Sequence, residues 1–169
     1  MALKRCFFAL SNLMLAIFVC ITTMSCERSY TYIDVIPNIL GANIGECLEK
    51  KQFRSEAIGE WYICEIYKFE NKGKFAPVHN NLCHNNGLWF KQDWVELPLD
   101  SNSKIYDMVF VDFGTNKSRA LYKEMTEINA FGCGYYSFCV KPSLYDPRYI
   151  TFFMFDTTET RLYVVDSHL

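Results

Sequence analysis

Gly59-Glu60-Trp61-Tyr62-Ile63-Cys64-Glu65-Ile66-Tyr67-Lys68-Phe69 is the stretch whose reading decides the fold. A glycine, one free position, a tryptophan and then an alternating aromatic and β-branched run predict a strand. It leaves a tight backbone entry with a large indole at its start. Trp61, Ile63, Glu65 and Tyr67 share one face of that strand, and Tyr62, Cys64, Ile66 and Lys68 share the other.

Upstream, Pro37, Gly41 and Gly45 argue against a long helix, and Glu46 to Ala57 reads as one or two amphipathic turns in a lead-in segment. Downstream, Asn71-Lys72-Gly73-Lys74 signals a turn and Pro77 to Gly87 a long polar loop. Strands are expected at Leu88 to Leu97 and at Lys104 to Phe113, where Tyr106, Met108 and Phe110 alternate with Asp107, Val109 and Val111. Ser118 to Glu127 favours helix by propensity, but a meander places a strand there, and topology alone decides for strand. A strand from Cys133 to Lys141 follows. The last hairpin runs from Tyr149 to Phe155, turns at residues 156–160, and returns through Arg161 to Asp166. Seven to eight strands with no strong helical pattern between them predict an all-β, antiparallel domain.

The chain has 169 residues, 50% apolar and 17% aromatic, enough for one domain with a substantial core. Lys4 and Arg5 followed by the apolar run Cys6 to Ile21 read as a signal peptide over residues 1–25. That run sits at the short end of the ~17–25 residues needed to span a bilayer, so cleavage is expected, with no stable membrane insertion afterwards; the alternative is an uncleaved anchor, which would make the chain a membrane-anchored ectodomain. Residues 26–58 then form the lead-in and 59–169 the β domain of a secreted, extracellular protein. The mature chain has 15 Lys+Arg against 19 Asp+Glu, a net charge of −4, and its basic residues are scattered singly; nucleic acid is not an expected partner. Cys26, Cys47, Cys64, Cys83, Cys133 and Cys139 remain after cleavage, an even number that suits an oxidising compartment. Six allow 15 formal pairings, none of which the sequence selects; Cys47, Cys64, Cys83, Cys133 and Cys139 are the disulfide candidates, and if cleavage falls after Cys26 five remain and one thiol is left over. Asn116-Lys117-Ser118 is an N-glycosylation sequon on a turn, which makes Asn116 a candidate for a glycan.

Cys47, Phe53, Gly59-Glu60-Trp61-Tyr62 and Phe69-Glu70-Asn71 together resemble the start of a lipocalin of the apolipoprotein D-like branch that includes insect lipocalins. The second family motif is similar to Phe155-Asp156-Thr157, where Asp156 alone is retained; the rival position Val111-Asp112-Phe113 is too close to Trp61. The family's third motif, an arginine packed over the tryptophan, has no counterpart before Leu169, nor has the last strand. The resemblance implies an up-and-down barrel, incomplete at its last strand, with Gly59, Trp61 and Asp156 as structural motif residues and Trp61 plugging the closed end. It implies transport of a small hydrophobic ligand such as a fatty acid, sterol, retinoid, pigment or pheromone, with no catalysis. An open sheet edge would favour a homodimer.

Interior positions of such a barrel recur every second residue, so Ile63, Tyr67, Trp89, Tyr106, Met108, Phe110, Tyr136, Phe138 and Phe153 are the candidate ligand-lining residues. The plain alternative is that these side chains only fill the barrel. A second reading makes the chain a secreted β-rich interaction protein with a collapsed cavity that acts through its outer surface. Cys64 as a nucleophile has no histidine near it in sequence, and His79, Cys83 and His84 lack zinc-ligand spacing, so neither an active site, a metal nor a cofactor is expected.

Overall fold

A computed structural model describes residues 35–40, 45–57, 60–70, 79–80 and 89–168. In chain order these form α1 (Ile36–Leu40), β1 (Cys47–Ala57), β2 (Glu60–Phe69), β3 (Phe90–Glu96), α2 (Lys104–Val109), α3 (Asn116–Phe131), β4 (Gly134–Lys141), β5 (Tyr149–Asp156) and β6 (Arg161–His168). The signal peptide, Cys26, Gly59, Cys83 and His84 lie outside the described residues.

The strands form one antiparallel six-stranded sheet in the order β1-β2-β6-β5-β4-β3. The mainly β expectation holds, and so do the strand after Gly59 and the final hairpin. The closed up-and-down barrel does not. The sheet is open, with β1 and β3 at its edges, and the connection from β2 to β3 moves the chain to the far edge instead of to the next position.

Three segments differ from their sequence-based expectation. Residues 46–57, expected as turns in a lead-in, supply strand β1, paired with β2 through Phe53 opposite Cys64 and Ser55 opposite Tyr62. Residues 104–113, expected as a strand, begin with helix α2. Its buried residues Ile105, Met108 and Val109 have the spacing of one helix face, and Ser103 caps it by accepting from the Tyr106 N–H at 3.2 Å. Residues 118–127, assigned to strand on topology, lie in helix α3. Thr115 and Ser118 form a reciprocal capping box at its start, and Gly132, in the left-handed region, ends it.

These helices explain why the sheet needs no closure. Tyr62, Cys64, Phe138, Ile150, Phe152 and Val165 face Met108, Val109, Leu121 and Met125 in one hydrophobic layer. Tyr67, Trp94, Phe153, Phe155 and Val164 form a second layer on the opposite face with Ile36, Ile39 and Leu40. The Trp94 indole N–H donates to the Ile39 carbonyl at 2.9 Å and fixes α1 there. A sheet covered on both faces carries aromatic residues at both parities, which is how β4 and β5 read. No helix among the described residues is long and apolar enough to cross a membrane.

Candidate binding site

The nine residues expected to line one cavity fall on opposite faces of a single sheet. Tyr106, Met108, Phe110, Tyr136 and Phe138 belong to the helix-side layer. Tyr67, Trp89 and Phe153 belong to the other, and Ile63 shares the strand face of Tyr67. The sheet backbone separates the two groups, so they cannot enclose one ligand. Within the helix-side layer the rings pack on each other, Tyr106 with Phe110 at 4.3 Å and Tyr136 with Phe152 at 6.1 Å. They fill space instead of surrounding it.

The structure does bring a different set of residues together at the Trp61 end of the sheet. Antiparallel register aligns Ser55 of β1, Tyr62 of β2 and Ser167 of β6 in one row on the helix side, and Glu60 has the same parity as Tyr62. The loop between α2 and α3 folds over this row. Phe113 meets the Tyr62 ring edge to face at 5.1 Å and stacks on Phe53 at 5.9 Å. The result is a pocket of about 160 Å³ lined by Ser55, Glu60, Trp61, Tyr62, Val111, Phe113, Ser167 and His168. Tyr62 is its floor. It is buried, it donates its hydroxyl proton to the Val109 carbonyl at 2.8 Å, and burial, with the neighbouring Cys64, holds its phenol far above the ordinary range. Tyr62 is therefore a neutral, fixed wall.

Trp61 does not plug a closed end. It is half-buried, lies opposite His168 across the β2–β6 pair, and has its ring centroid 6.2 Å from the imidazole. The row continues on that face from His168 to Tyr149, stacked at 4.1 Å, and to Lys141, whose ammonium lies 4.3 Å from the Tyr149 ring and 4.6 Å from that of Trp89.

Asp156 stands where a hairpin turn was expected, at the end of β5, and accepts from the Thr158 N–H at 2.8 Å. The expected pairing of cysteines is not met at three positions: Cys47, Cys64 and Cys133 carry free thiols. Cys64 is enclosed between Phe53 and Val165 in the sheet register, with no cysteine opposite it, and Cys133 is exposed at the turn after α3. Cys139 is disulfide-bonded. Asn116 is exposed at the first turn of α3.

Glu65 is the most enclosed carboxylate near β2. It is 2% exposed, receives the Tyr67 hydroxyl and the Gln52 amide, and has the Lys50 ammonium at 2.9 Å. That arrangement satisfies a buried charge and leaves nothing directed at a ligand. Burial drives the Cys64 thiol well above its ordinary range, so it is held protonated and inert. His79 pairs with Asp93 at 3.6 Å, and Lys91 holds the same carboxylate at 2.7 Å. Among the described residues no group of three or more His, Cys, Asp or Glu could hold a metal ion.

Ser55, Val111, Ser167 and His168 were not expected at a site. The signal for Phe113 was present, since it precedes the Gly114-Thr115 cap of α3, but its contact with Tyr62 needs the loop to return over β2. His168 reaches the site only because β6 inserts beside β2, which no local pattern records. Compared with known proteins, the chain matches no family model, no curated protein and no solved structure.

Proposed function

We propose that this chain is a non-catalytic, extracellular binding protein that acts through its outer surface, with the pocket at the Trp61 end as its recognition point. The observation that carries this reading is the packing of both sheet faces. The side chains that would have lined an internal cavity are consumed by the two hydrophobic layers. The pocket at the Trp61 end has about 160 Å³, well below the ~300–1,000 Å³ that encloses a drug-sized ligand. A fatty acid, sterol or retinoid cannot be buried in it whole. A larger pocket of about 390 Å³ beside α2 is lined mainly by charged side chains, Lys104, Asp107, Asp146 and Arg148, which do not suit an apolar ligand.

The lipocalin-like carrier is the second reading, supported by Trp61 and its flanking motif. Titration with a fluorescent fatty acid and with retinol, following tryptophan quenching, separates the two. No saturable binding is expected. Saturation near one ligand per chain would overturn the outer-surface reading and favour the carrier.

A further inference from the structure

The pocket beside Tyr62 has a composition that selects a class of ligand. Among the described residues that line it, Glu60 is the acidic one, His168 is the one imidazole, and no lysine or arginine borders it. Arg54, on the neighbouring strand, is paired with Glu56. Tyr62 and Phe113 supply ring surface, Val111 an apolar contact, and Ser55 and Ser167 two hydroxyls. An anion would meet the Glu60 carboxylate with no lysine or arginine among the described lining residues to offset it, only the His168 imidazole and the two hydroxyls. A neutral apolar group would fill the space but leave the carboxylate at the mouth unused.

Aromatic rings present a negative face, so rings and a carboxylate together attract a cation. The number of hydrogen-bond donors then decides which cation. A primary ammonium brings three N–H donors that must all be satisfied on burial. A quaternary ammonium brings none, and its methyl groups suit ring faces. Size agrees, since about 160 Å³ is roughly five water molecules' worth of space, and a trimethylammonium group with its first methylene is of that order.

We propose that this pocket binds a quaternary trimethylammonium group, with the methyl groups against Phe113 and Tyr62 and Glu60 as the counter-charge at the mouth. The proposal rests on the reading of an outer pocket as the recognition point and names what that pocket takes. The group can come from a soluble quaternary amine or from a phosphatidylcholine headgroup; the chemistry in the pocket is the same.

The test is a titration of the isotopically labelled chain with choline and with its neutral isostere 3,3-dimethylbutan-1-ol, followed by amide chemical shifts. Choline should give saturable shifts confined to residues 55, 60–62, 111–113 and 167–168, and the neutral isostere should bind roughly tenfold more weakly. Glu60→Gln, a change at an exposed side chain, should weaken choline several-fold at unchanged melting temperature, and Phe113→Ala should weaken it further. Equal affinity for both probes would overturn the ammonium assignment while leaving the outer pocket in place. Shifts from neither probe, together with saturable fatty-acid binding, would overturn the outer-pocket reading as well. If choline binds, co-sedimentation with phosphatidylcholine but not phosphatidylglycerol vesicles makes the lipid headgroup the source, and its absence makes a soluble amine the source. Either result supports the proposal.

Discussion

The Tyr62 hydroxyl joins β2 to the end of α2 through the Val109 carbonyl, so the residue that floors the pocket also anchors the loop that roofs it. Tyr62→Phe keeps the ring and removes the donor, leaving a carbonyl unpaired in a buried place. It should lower stability by about 1–3 kcal/mol in urea denaturation, and a variant as stable as the parent would show that water replaces the bond. Two positions further along β2, Cys64 has a thiol that burial keeps protonated. A thiol reagent should therefore modify exposed Cys133 in the native protein and reach Cys64 only after unfolding. Reaction of Cys64 at the rate of Cys133 would mean that β1 does not cover it. At this scale the alternation after Gly59 was legible, because a strand period of two is local. The surroundings of Trp61 were not, because its neighbour His168 is set by a pairing more than a hundred residues away in sequence.

Helix α3 shows what sequence reading can and cannot decide about an element. Its start and stop were written in Thr115, Ser118 and Gly132, and its buried side at Ser118, Leu121, Met125 and Asn129; expecting a meander overrode these signals. The start also depends on Asp112, whose carboxylate accepts from the Gly114 N–H at 2.9 Å and from the Ser118 hydroxyl at 3.1 Å. The Gly114 bond first, then Ser118 and Arg119, hold Asp112 below its ordinary range. A depressed carboxylate stabilises the fold above the unfolded-state value and stops doing so as pH falls through the folded-state value. Stability measured through the acid range below about pH 4 should therefore decline less steeply in Asp112→Asn than in the parent. At the other end of the helix, Asn129 accepts from the Leu99 N–H at 2.7 Å and donates to the Leu99 carbonyl at 3.2 Å. Asn129→Ala strands both groups and should cost about 2 kcal/mol or more. Gly134→Ala should be worse, because a Cβ there would lie 2.1 Å from the Phe155 carbonyl oxygen. A Gly134→Ala chain that melts with the parent would contradict the β4–β5 register.

Across the whole molecule, β6 is the strand that makes one sheet out of two parts. On one side it pairs with β2 from Trp61–His168 to Lys68–Arg161, and on the other it continues the hairpin from β5. Its side chains also reach the helix layer, since Glu124 of α3 receives both the Arg161 guanidinium and the Tyr163 hydroxyl at 2.6 Å. A chain ending at Thr160 should lose cooperative thermal unfolding altogether; a single transition at the parent's temperature would show that β2 and β5 can join without it. The strands themselves could be read from local patterns, but their order could not, because faces buried on both sides leave the same aromatic record for a barrel wall and for a covered open sheet. That order has a consequence during synthesis. Residues 161–168 are made after every other described element, yet they occupy the middle of the sheet. The β1–β2 hairpin must therefore wait, with its inner edge and its aromatic face unmatched, until those residues have cleared the ribosome. Until then the exposed strand edge and aromatic face make the nascent chain prone to aggregation.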